Sequence, residues 1–458
     1  MALDIAALVR TTAAEKGFPG VAVGIVRPGE PLEVFATGTR VLDANLEPDA
    51  MSVFRIASMT KSFTAAAVLL LRDRGQLALD DIAQRYLPWL DDQRITIRDL
   101  LTMNAGFPTD DPWGDRHEGT PLDQFDALVA RGLSRIRATR TGFEYSNLGY
   151  ALLGRVVHQI TGRDYTEFVE TELLAPLGMM STRFNVEQVP ESLLATGYHP
   201  VAAGLVAEPP TPPGAFSPMG GLHSNVADLA KWVQGFLDAH AGIEGHPLSV
   251  SSRLEMQQPQ NFSRLVVGAE PGVASSLSYG FGLIAVEHSM LGRTVLHSGG
   301  YPGYGSHMRW HPATGIGVIG LANRTYAGMW ALCEAIANAL VAEAEPQVSV
   351  ADSLWPETRE AMNAAEALLH DWDDDLADAL FAHNMDLDIP RAERIARARE
   401  VGGNVEQFVR DAASLTSRSA AHVRWQVTAK ERKVAIELLM SPDAETRVQM
   451  LTFDPTEL

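Results

Sequence analysis

Strand-like segments at both ends of a long helical stretch constrain the fold of this chain more than any other feature of its sequence. Near the N-terminus, residues 20–26 and 32–38 form a predicted hairpin, and residues 58–250 are mainly helical. Short strands return later in the chain, at residues 279–286, 293–297, 306–311 and 315–321. This order predicts one sheet whose two halves are far apart in the sequence.

The predicted fold class is α+β, with an antiparallel sheet flanked by helices and a mainly helical region beside it. The sheet is predicted from about residues 18–40 and 279–322. Together with the helical residues 58–250, these strands make up a predicted first domain, residues 1–345.

The sequence changes character after this domain. A linker is predicted at residues 346–356, followed by a small α+β accessory domain over residues 357–458. Its helices are predicted over residues 357–383 and 390–415, and three alternating strands close the chain as an antiparallel meander.

Composition excludes several kinds of partner. The formal net charge of −20 at pH 7 repels nucleic acid and acidic membrane surfaces. The single cysteine, Cys333, permits neither an intrachain disulfide nor a thiolate metal cluster. The N-terminus lacks the pattern of a secretion signal, and the apolar residues 65–71 are too few to span a bilayer. We therefore expect a soluble cytoplasmic protein that binds neither nucleic acid nor membranes.

Ser58 and Lys61 are the first pair of residues with recognisable chemistry. If a helix begins at Ser58, Lys61 lies one turn later on the same face. A lysine can accept the proton of a serine nucleophile when burial lowers its pKa, and the apolar residues 65–71 are suited to provide that burial. The N–H groups at the start of the helix can also stabilise an oxyanion. The alternative is that Ser58 only caps the helix and Lys61 lies along its surface.

Tyr145 and Asn147 form a second pair just before another apolar helix. Tyr145 can shuttle a proton between nucleophile and leaving group, with its phenolate favoured by a neighbouring ammonium. Asn147 can hold a substrate amide or carbonyl oxygen. Taken alone, the pair is more readily explained by ordinary capping and packing.

A third group, His297-Ser298-Gly299-Gly300, ends a predicted strand. Small residues there would let a substrate lie against the strand edge. Gly300 can supply a second oxyanion donor beside the backbone N–H of Ser58. His297, if cationic, would add positive potential to the pocket, although a lone histidine is more often a satisfied surface or core residue.

Taken together and in this order, Ser58-x-x-Lys61, Tyr145-x-Asn147 and His297-x-Gly299 resemble the three motifs of the serine β-lactamase and penicillin-binding protein superfamily. The Tyr-x-Asn form is similar to the branch that contains class C β-lactamases, D-alanyl-D-alanine carboxypeptidases, D-amino-acid amidases and β-lactamase-like esterases. The resemblance covers roughly residues 5 to 345 and implies a β-lactamase/transpeptidase-like fold.

The resemblance also implies a mechanism. Lys61, coupled to Tyr145, would take the Ser58 proton, and Ser58 would form an acyl-enzyme while the N–H groups of Ser58 and Gly300 hold the oxyanion. No metal and no other cofactor is required. One departure limits the analogy, because His297-Ser298-Gly299 stands where β-lactamases usually carry Lys-Thr-Gly, and a fixed cation for a β-lactam carboxylate is therefore missing.

The predicted substrate is a small ester or amide. A carboxylesterase is the first choice, because both the secretion signal and the Lys-Thr-Gly motif are missing. The alternatives are a D-amino-acid amidase or D-peptidase, a β-lactamase, an acyltransferase, and a catalytically silent penicillin-binding-like interaction protein. The C-terminal domain is predicted to mediate homo-oligomerisation or to cover part of the active-site mouth.

Loop residues leave substrate choice open. Trp113 either walls an acyl pocket or packs against its own loop. Asp110, Asp111 and Asp115 either discourage acidic substrates or form a solvated acidic loop, and the second interpretation is favoured.

Overall fold

The computed structural model describes residues 3–44, 46–268, 273–344, 350–403, 408–429 and 432–456. Its chain divides into two units, Met1–Glu345 and Pro346–Leu458. Among the described residues, no helix combines the length and the apolar character needed to cross a bilayer.

The strands of the first unit come from both ends of its sequence. They are β1 (Gly20–Val26), β2 (Glu33–Gly38), β3 (Phe54–Arg55), β4 (Tyr198–Val201), β5 (Gly204–Ala207), β6 (His223–Ser224), β7 (Asn261–Val267), β8 (Ala274–Tyr279), β9 (Ile284–His288), β10 (Gly292–Tyr301), β11 (Tyr304–His311) and β12 (Ile316–Ala322). Eight of them form one sheet in the order β2-β1-β12-β11-β10-β9-β8-β7. Val21 of β1 lies opposite Ala322 of β12 in antiparallel register, so the hairpin near the start joins the strands near the end. The prediction of one sheet with separated halves is confirmed.

Helices of the first unit lie between and around these strands. They are α1 (Ile5–Lys16), α2 (Thr60–Asp73), α3 (Ile97–Leu101), α4 (Asp111–Arg116), α5 (Leu122–Ala130), α6 (Asn147–Thr161), α7 (Tyr165–Val169), α8 (Ser217–Gly220), α9 (Val226–His240), α10 (Val250–Met256) and α11 (Trp330–Glu343). Every residue of α2 from Thr60 to Leu71 is buried. A helix that is apolar on all sides belongs in a core, and α2 is the central core helix of this unit.

Two apolar layers cover the two faces of the sheet. The larger cluster contains the buried residues of α2, α6 and α9, and the smaller one contains those of α1 and α11 with β1 and β12. Strand β10 contacts the 3₁₀ turn Ala57–Met59 that leads into α2, and this contact places the turn next to the strand.

Two details of the sheet differ from the sequence prediction. The run 279–286 is not one strand, because β8 ends at Tyr279 and β9 begins at Ile284, with Gly282 at φ +68° in the turn between them. The sheet also extends back to Asn261. In addition, the mainly helical region contains the strand pair β4 with β5 and the strand β6, which pairs with β3 just before the region.

The second unit contains helices followed by a four-stranded sheet in the order β13-β14-β15-β16. Its elements are α12 (Val350–Ser353), α13 (Pro356–His370), α14 (Asp374–Leu380), α15 (Met385–Asp388), α16 (Arg391–Gly402), β13 (Val409–Ser419), β14 (His422–Ala429), β15 (Arg432–Met440) and β16 (Val448–Thr456). Trp425 is fully buried, and its indole N–H donates to Oε1 of Glu366 on α13 at 2.7 Å. The predicted linker, 346–356, lies partly outside the described residues, and its described part contains α12 and the first residue of α13.

The predicted helices of this unit were too long. The first is broken at Asp373, whose side chain accepts hydrogen bonds from the N–H groups of Asp375 and Leu376 and so caps α14. The second ends at Gly402, and residues 409–419 form the strand β13 instead. Cross-strand pairing with β14 outweighs the helix propensity of this alanine-containing segment.

Candidate active site

Ser58 lies in a 3₁₀ turn, Ala57–Met59, that leads into α2. The predicted helix start is therefore shifted to Thr60. Ala57 has φ +47°, a left-handed conformation that residues other than glycine adopt rarely. The turn is held from β11, where the Ser306 hydroxyl donates to the carbonyl oxygen of Ile56 at 2.7 Å. Ser58 itself keeps some solvent exposure, as a nucleophile requires.

Lys61 is fully buried beside Ser58. Its Nζ lies 2.9 Å from Ser58 Oγ, 2.6 Å from Asn147 Oδ1 and 2.7 Å from the carbonyl oxygen of Met219. Burial lowers the pKa of Lys61 to about 8, against the opposing effect of nearby carboxylates, chiefly Asp111. A neutral amine has two hydrogens and one lone pair. Asn147 and Met219 can accept the two hydrogens, which leaves the lone pair for the Ser58 hydroxyl.

Tyr145 completes the group around the serine. Its side chain is hydrogen-bonded to Ser58, and Nζ of Lys61 lies 4.9 Å from the centroid of its ring. Burial and the charge of Asp111 raise the pKa of Tyr145 well above 10, although the hydrogen bond from Ser58 acts in the opposite direction. The resting side chain is thus a neutral phenol, which corrects the expectation of a phenolate stabilised by a neighbouring ammonium.

Asn147 begins α6, and its amide is fixed from both ends. Oδ1 accepts from Lys61, and Nδ2 donates to Asp111 Oδ1 at 2.8 Å. One amide hydrogen remains for a substrate carbonyl oxygen. Asp110 accepts hydrogen bonds from the N–H groups of Asn147 and Leu148 at 2.7 and 2.9 Å, which anchors the first turn of the helix.

The sequence favoured a solvated acidic loop for Asp110, Asp111 and Asp115, and the structure contradicts that interpretation. Asp110 and Asp111 bind the start of α6, and Asp115 is 5 % exposed. Burial raises the pKa of Asp115 to about 6, against the hydrogen bond from Tyr326 and the charge of Lys61.

His297 is buried and neutral. Burial, reinforced by the charge of Lys61, lowers its pKa to about 3. Nδ1 lies 2.7 Å from the carbonyl oxygen of Ser298, which can only accept, so Nδ1 carries the hydrogen and Nε2 accepts from the Tyr279 hydroxyl at 3.2 Å. The suggested cationic contribution of His297 is contradicted, because the protein interior disfavours its charged form.

The two glycines of the third motif are needed for packing. A Cβ on Gly299 would lie 2.2 Å from the carbonyl oxygen of Ile56, and one on Gly300 would lie 2.8 Å from Cδ1 of Tyr326. Protein atoms thus fill the space that was expected to admit a substrate. What remains accessible to a ligand is the backbone edge of β10, because β9 pairs with this strand only as far as Leu296.

Trp113 packs against one aromatic residue of its own loop and one of the later segment 209–219. Its ring centroid lies 4.3 Å from that of His117 and 5.3 Å from that of Phe216. On the short helix α4 it faces away from Asp111, Gly114 and Asp115, which contact the site. Trp113 is 39 % exposed, and its role as the wall of an acyl pocket stays a prediction.

A buried ion pair beside the site was not recognised in the sequence. Arg55 and Glu118 are both almost fully buried and pair with each other. Arg55 Nε also donates to the carbonyl oxygen of Gly220 at 3.1 Å, and Oε2 of Glu118 lies 3.0 Å from the Tyr301 hydroxyl oxygen. The available signal was an arginine inside the apolar run 53–57, three residues before Ser58. Its partner, 63 positions away, has no marker in the sequence.

Known proteins are similar to this chain in sequence. The family model for Beta-lactamase matches residues 5–342. Penicillin-binding protein 4* of Bacillus subtilis (strain 168) is 30 % identical over 285 residues, which cover 56 % of this chain and 57 % of that protein. Protein flp of Staphylococcus aureus (strain NCTC 8325 / PS 47) is 27 % identical over 319 residues, 68 % of this chain and 60 % of that protein. The chain thus spans less than two thirds of the length of these two relatives.

Two solved structures are similar in fold. The octameric penicillin-binding protein homologue from Pyrococcus abyssi has a TM-score of 0.64 at 23 % identity, covering 97 % of this chain and 92 % of that one. D-amino acid amidase from Ochrobactrum anthropi SV3, complexed with L-phenylalanine amide, has a TM-score of 0.60 at 25 % identity, covering 73 % of this chain and 96 % of that one.

Proposed function

The chain belongs to the β-lactamase family, whose members are generally serine hydrolases, and on that premise we propose that it is a carboxylesterase that forms an acyl-enzyme on Ser58. The membership agrees with the resemblance of the three sequence motifs and with the β-lactamase/transpeptidase-like fold, and both of those predictions are confirmed.

One observation carries the proposal: the buried Lys61 amine lies 2.9 Å from the Ser58 hydroxyl and has a pKa of about 8. An amine with this pKa is neutral in roughly a tenth of the molecules at pH 7, whereas an ordinary lysine is neutral in fewer than about one in a thousand. A neutral amine in hydrogen-bonding distance of a serine is a general base for that serine.

The proposed cycle follows from these contacts. Lys61 takes the Ser58 proton as Oγ attacks the ester carbonyl carbon, and the N–H groups of Ser58 and Gly300 stabilise the oxyanion. Tyr145, a neutral phenol hydrogen-bonded to Ser58, relays the proton to the departing alcohol. Water then attacks the acyl-enzyme, and the proton returns along the same path.

The environment of His297 supports an ester over a β-lactam. A β-lactam carries a carboxylate, and a cation fixed in the pocket would offset the cost of burying that charge. His297 stands at the position of the lysine in the Lys-Thr-Gly motif. Its imidazole is neutral, and its two ring nitrogens are hydrogen-bonded to Ser298 and Tyr279. An ester without a charged group does not need such a cation, because binding it buries no charge.

A D-amino-acid amidase is the second candidate. The similarity to the Ochrobactrum anthropi enzyme covers 96 % of that chain, and an amidase needs the same base and proton relay. The two activities differ in the leaving group, because an amine must be protonated before it departs.

The test combines turnover with covalent labelling. The substrate panel contains p-nitrophenyl esters, D-amino-acid amides and nitrocefin, and a fluorophosphonate serves as the label, detected by intact-protein mass spectrometry. We expect the wild type to gain one adduct and to hydrolyse esters fastest, and Ser58→Ala to do neither. Ser251→Ala, at an exposed serine of α10, is the matched control and should behave as the wild type.

Each contrary result has a definite meaning. If amides are turned over faster than esters, the amidase candidate replaces the esterase. If the wild type is neither labelled nor active, the hydrolase proposal fails and the catalytically silent interaction protein takes its place.

A further inference from the structure

Tyr326 lies between β12 and α11 and is held in an unusual conformation. Its backbone has φ +50°, a left-handed conformation that residues other than glycine adopt rarely and at an energetic cost. The side chain is 49 % exposed, yet its hydroxyl donates to Oδ2 of the buried Asp115 at 2.7 Å. An unfavourable backbone conformation is retained only where the surrounding structure enforces it. The contacts of Tyr326 therefore indicate which position of its side chain this conformation provides.

The backbone on both sides of Tyr326 is tied to its surroundings. The N–H group of Thr325 donates to the carbonyl oxygen of Tyr198 at 2.8 Å, and that of Tyr326 donates to the carbonyl oxygen of Tyr301 at 3.2 Å. These contacts place the Tyr326 ring against Gly300, where an added Cβ would lie 2.8 Å from Cδ1 of the ring. Because a strand side chain points away from the plane of the sheet, the Tyr326 ring lies over one face of β10 at Gly300, next to the end of its open edge.

The hydroxyl of Tyr326 reaches the opposite side of the site. Asp115 belongs to α4, the helix whose first residue, Asp111, binds Asn147. The main-chain oxygen of Asp115 also accepts from the hydroxyl of Tyr301, the last residue of β10, at 2.6 Å. The Tyr326 side chain therefore connects β10 with α4, and these two elements lie on either side of the Ser58 group.

We propose that Tyr326 and Asp115 form a clasp that closes one end of the cleft at Ser58 and restricts the enzyme to compact substrates. This inference rests on the proposed hydrolase function. A ligand lying along β10 meets β9 at Leu296 and the clasp at Gly300, so the edge available to it is short. An extended chain would have to pass through the Tyr326 ring, whereas a small ester fits between the two limits.

Two variants separate the ring from its hydrogen bond. Tyr326→Gly removes the clasp and suits the positive φ, so folding is not compromised by strain. Tyr326→Phe keeps the ring and removes the hydroxyl. Tyr86→Phe is the matched control, because Tyr86, just after the 3₁₀ segment Ala83–Arg85, donates to Asp81 at 2.5 Å in a comparable tyrosine–aspartate pair outside the site.

The experiment measures kcat/KM of the full-length protein for p-nitrophenyl esters of lengthening acyl chain and for acetate esters of lengthening alcohol. For the wild type we expect a sharp decline with length in at least one series. Tyr326→Gly should raise kcat/KM for the long members of that series roughly tenfold or more while the shortest member changes little. Tyr326→Phe should give a smaller gain, and Tyr86→Phe none.

Failure of the clasp and failure of the hydrolase proposal are distinguishable. If the wild type hydrolyses no ester and Ser58 is not labelled, the proposed function is wrong. If the wild type is active but Tyr326→Gly and the wild type show the same dependence on length in both series, the hydrolase stands and the clasp is refuted.

Discussion

Lys61 can act as a base only while it is neutral, and its pKa therefore sets the pH dependence of the reaction. Burial lowers this pKa from 10.5 to about 8, so the amine is protonated below that pH and cannot accept the Ser58 proton. We expect kcat/KM to rise with pH and to level off above about pH 8, with a tenfold loss per unit on the acid side. Because Tyr145 titrates well above 10, its ionisation does not interfere in this range. Initial rates with a p-nitrophenyl ester would check the profile, and a flat profile from about pH 6 to 9 would rule out Lys61 as the base.

Asp111 affects the site through its charge as well as its hydrogen bond. It is the carboxylate that most raises the pKa of Lys61, and it also accepts from Nδ2 of Asn147. Asp111→Asn keeps an acceptor oxygen and removes the charge, so Lys61 loses its proton more readily and the acid limb of the kcat/KM profile moves to lower pH. Asp111→Ala also frees the Asn147 amide and should lower kcat. Asp43→Asn, at an exposed carboxylate, is the control, and an unshifted limb in Asp111→Asn would contradict the electrostatic argument.

The sequence identified the residues whose types and spacing are characteristic, and missed those defined by the fold alone. Ser58, Lys61, Tyr145 and Asn147 were singled out, and the structure brings them together. Asp111 reaches Asn147 across 36 positions, and Lys61 also binds a main-chain oxygen, which no side chain reveals in the sequence. The charge state of His297 depends on burial between strands, so composition could not determine it.

The elements around Ser58 are held together by the buried pair of Arg55 and Glu118. Removing one partner of such a pair leaves a buried charge without compensation, at a cost of about 3–5 kcal/mol. Glu118→Gln should therefore lower the free energy of unfolding by about this amount. Asp80→Asn, which breaks the exposed pair of Asp80 with Arg98, should cost less than about 1 kcal/mol. Urea unfolding followed by circular dichroism would compare the two, and equal effects would show that Glu118 does not stabilise the site region.

The sequence predicted helices and strands correctly where apolar residues recur with a clear period. It failed where pairing with a neighbouring strand determines the secondary structure. The core helix α2 and the strands β10 to β12 follow their apolar patterns. In contrast, β13 has mostly exposed or partly exposed residues, so no apolar alternation distinguished it from a continuing helix. The turn between β8 and β9 was missed because Phe281 and Leu283 are buried apolar residues within it, and the run 279–286 therefore resembles a single strand.

The whole molecule is predicted to self-associate through its second unit. Residues 346–458 carry no recognised catalytic group in the sequence, and self-association is one of the two roles predicted for them from the sequence. Light scattering should show a species larger than one chain for the full-length protein and a single chain after deletion of residues 346–458. The net charge of −20 opposes association, so added salt should shift the full-length protein towards the larger species. Deletion that changes neither the mass of the assembly nor the substrate profile would exclude both suggested roles of the second unit, self-association and partial cover of the active-site mouth.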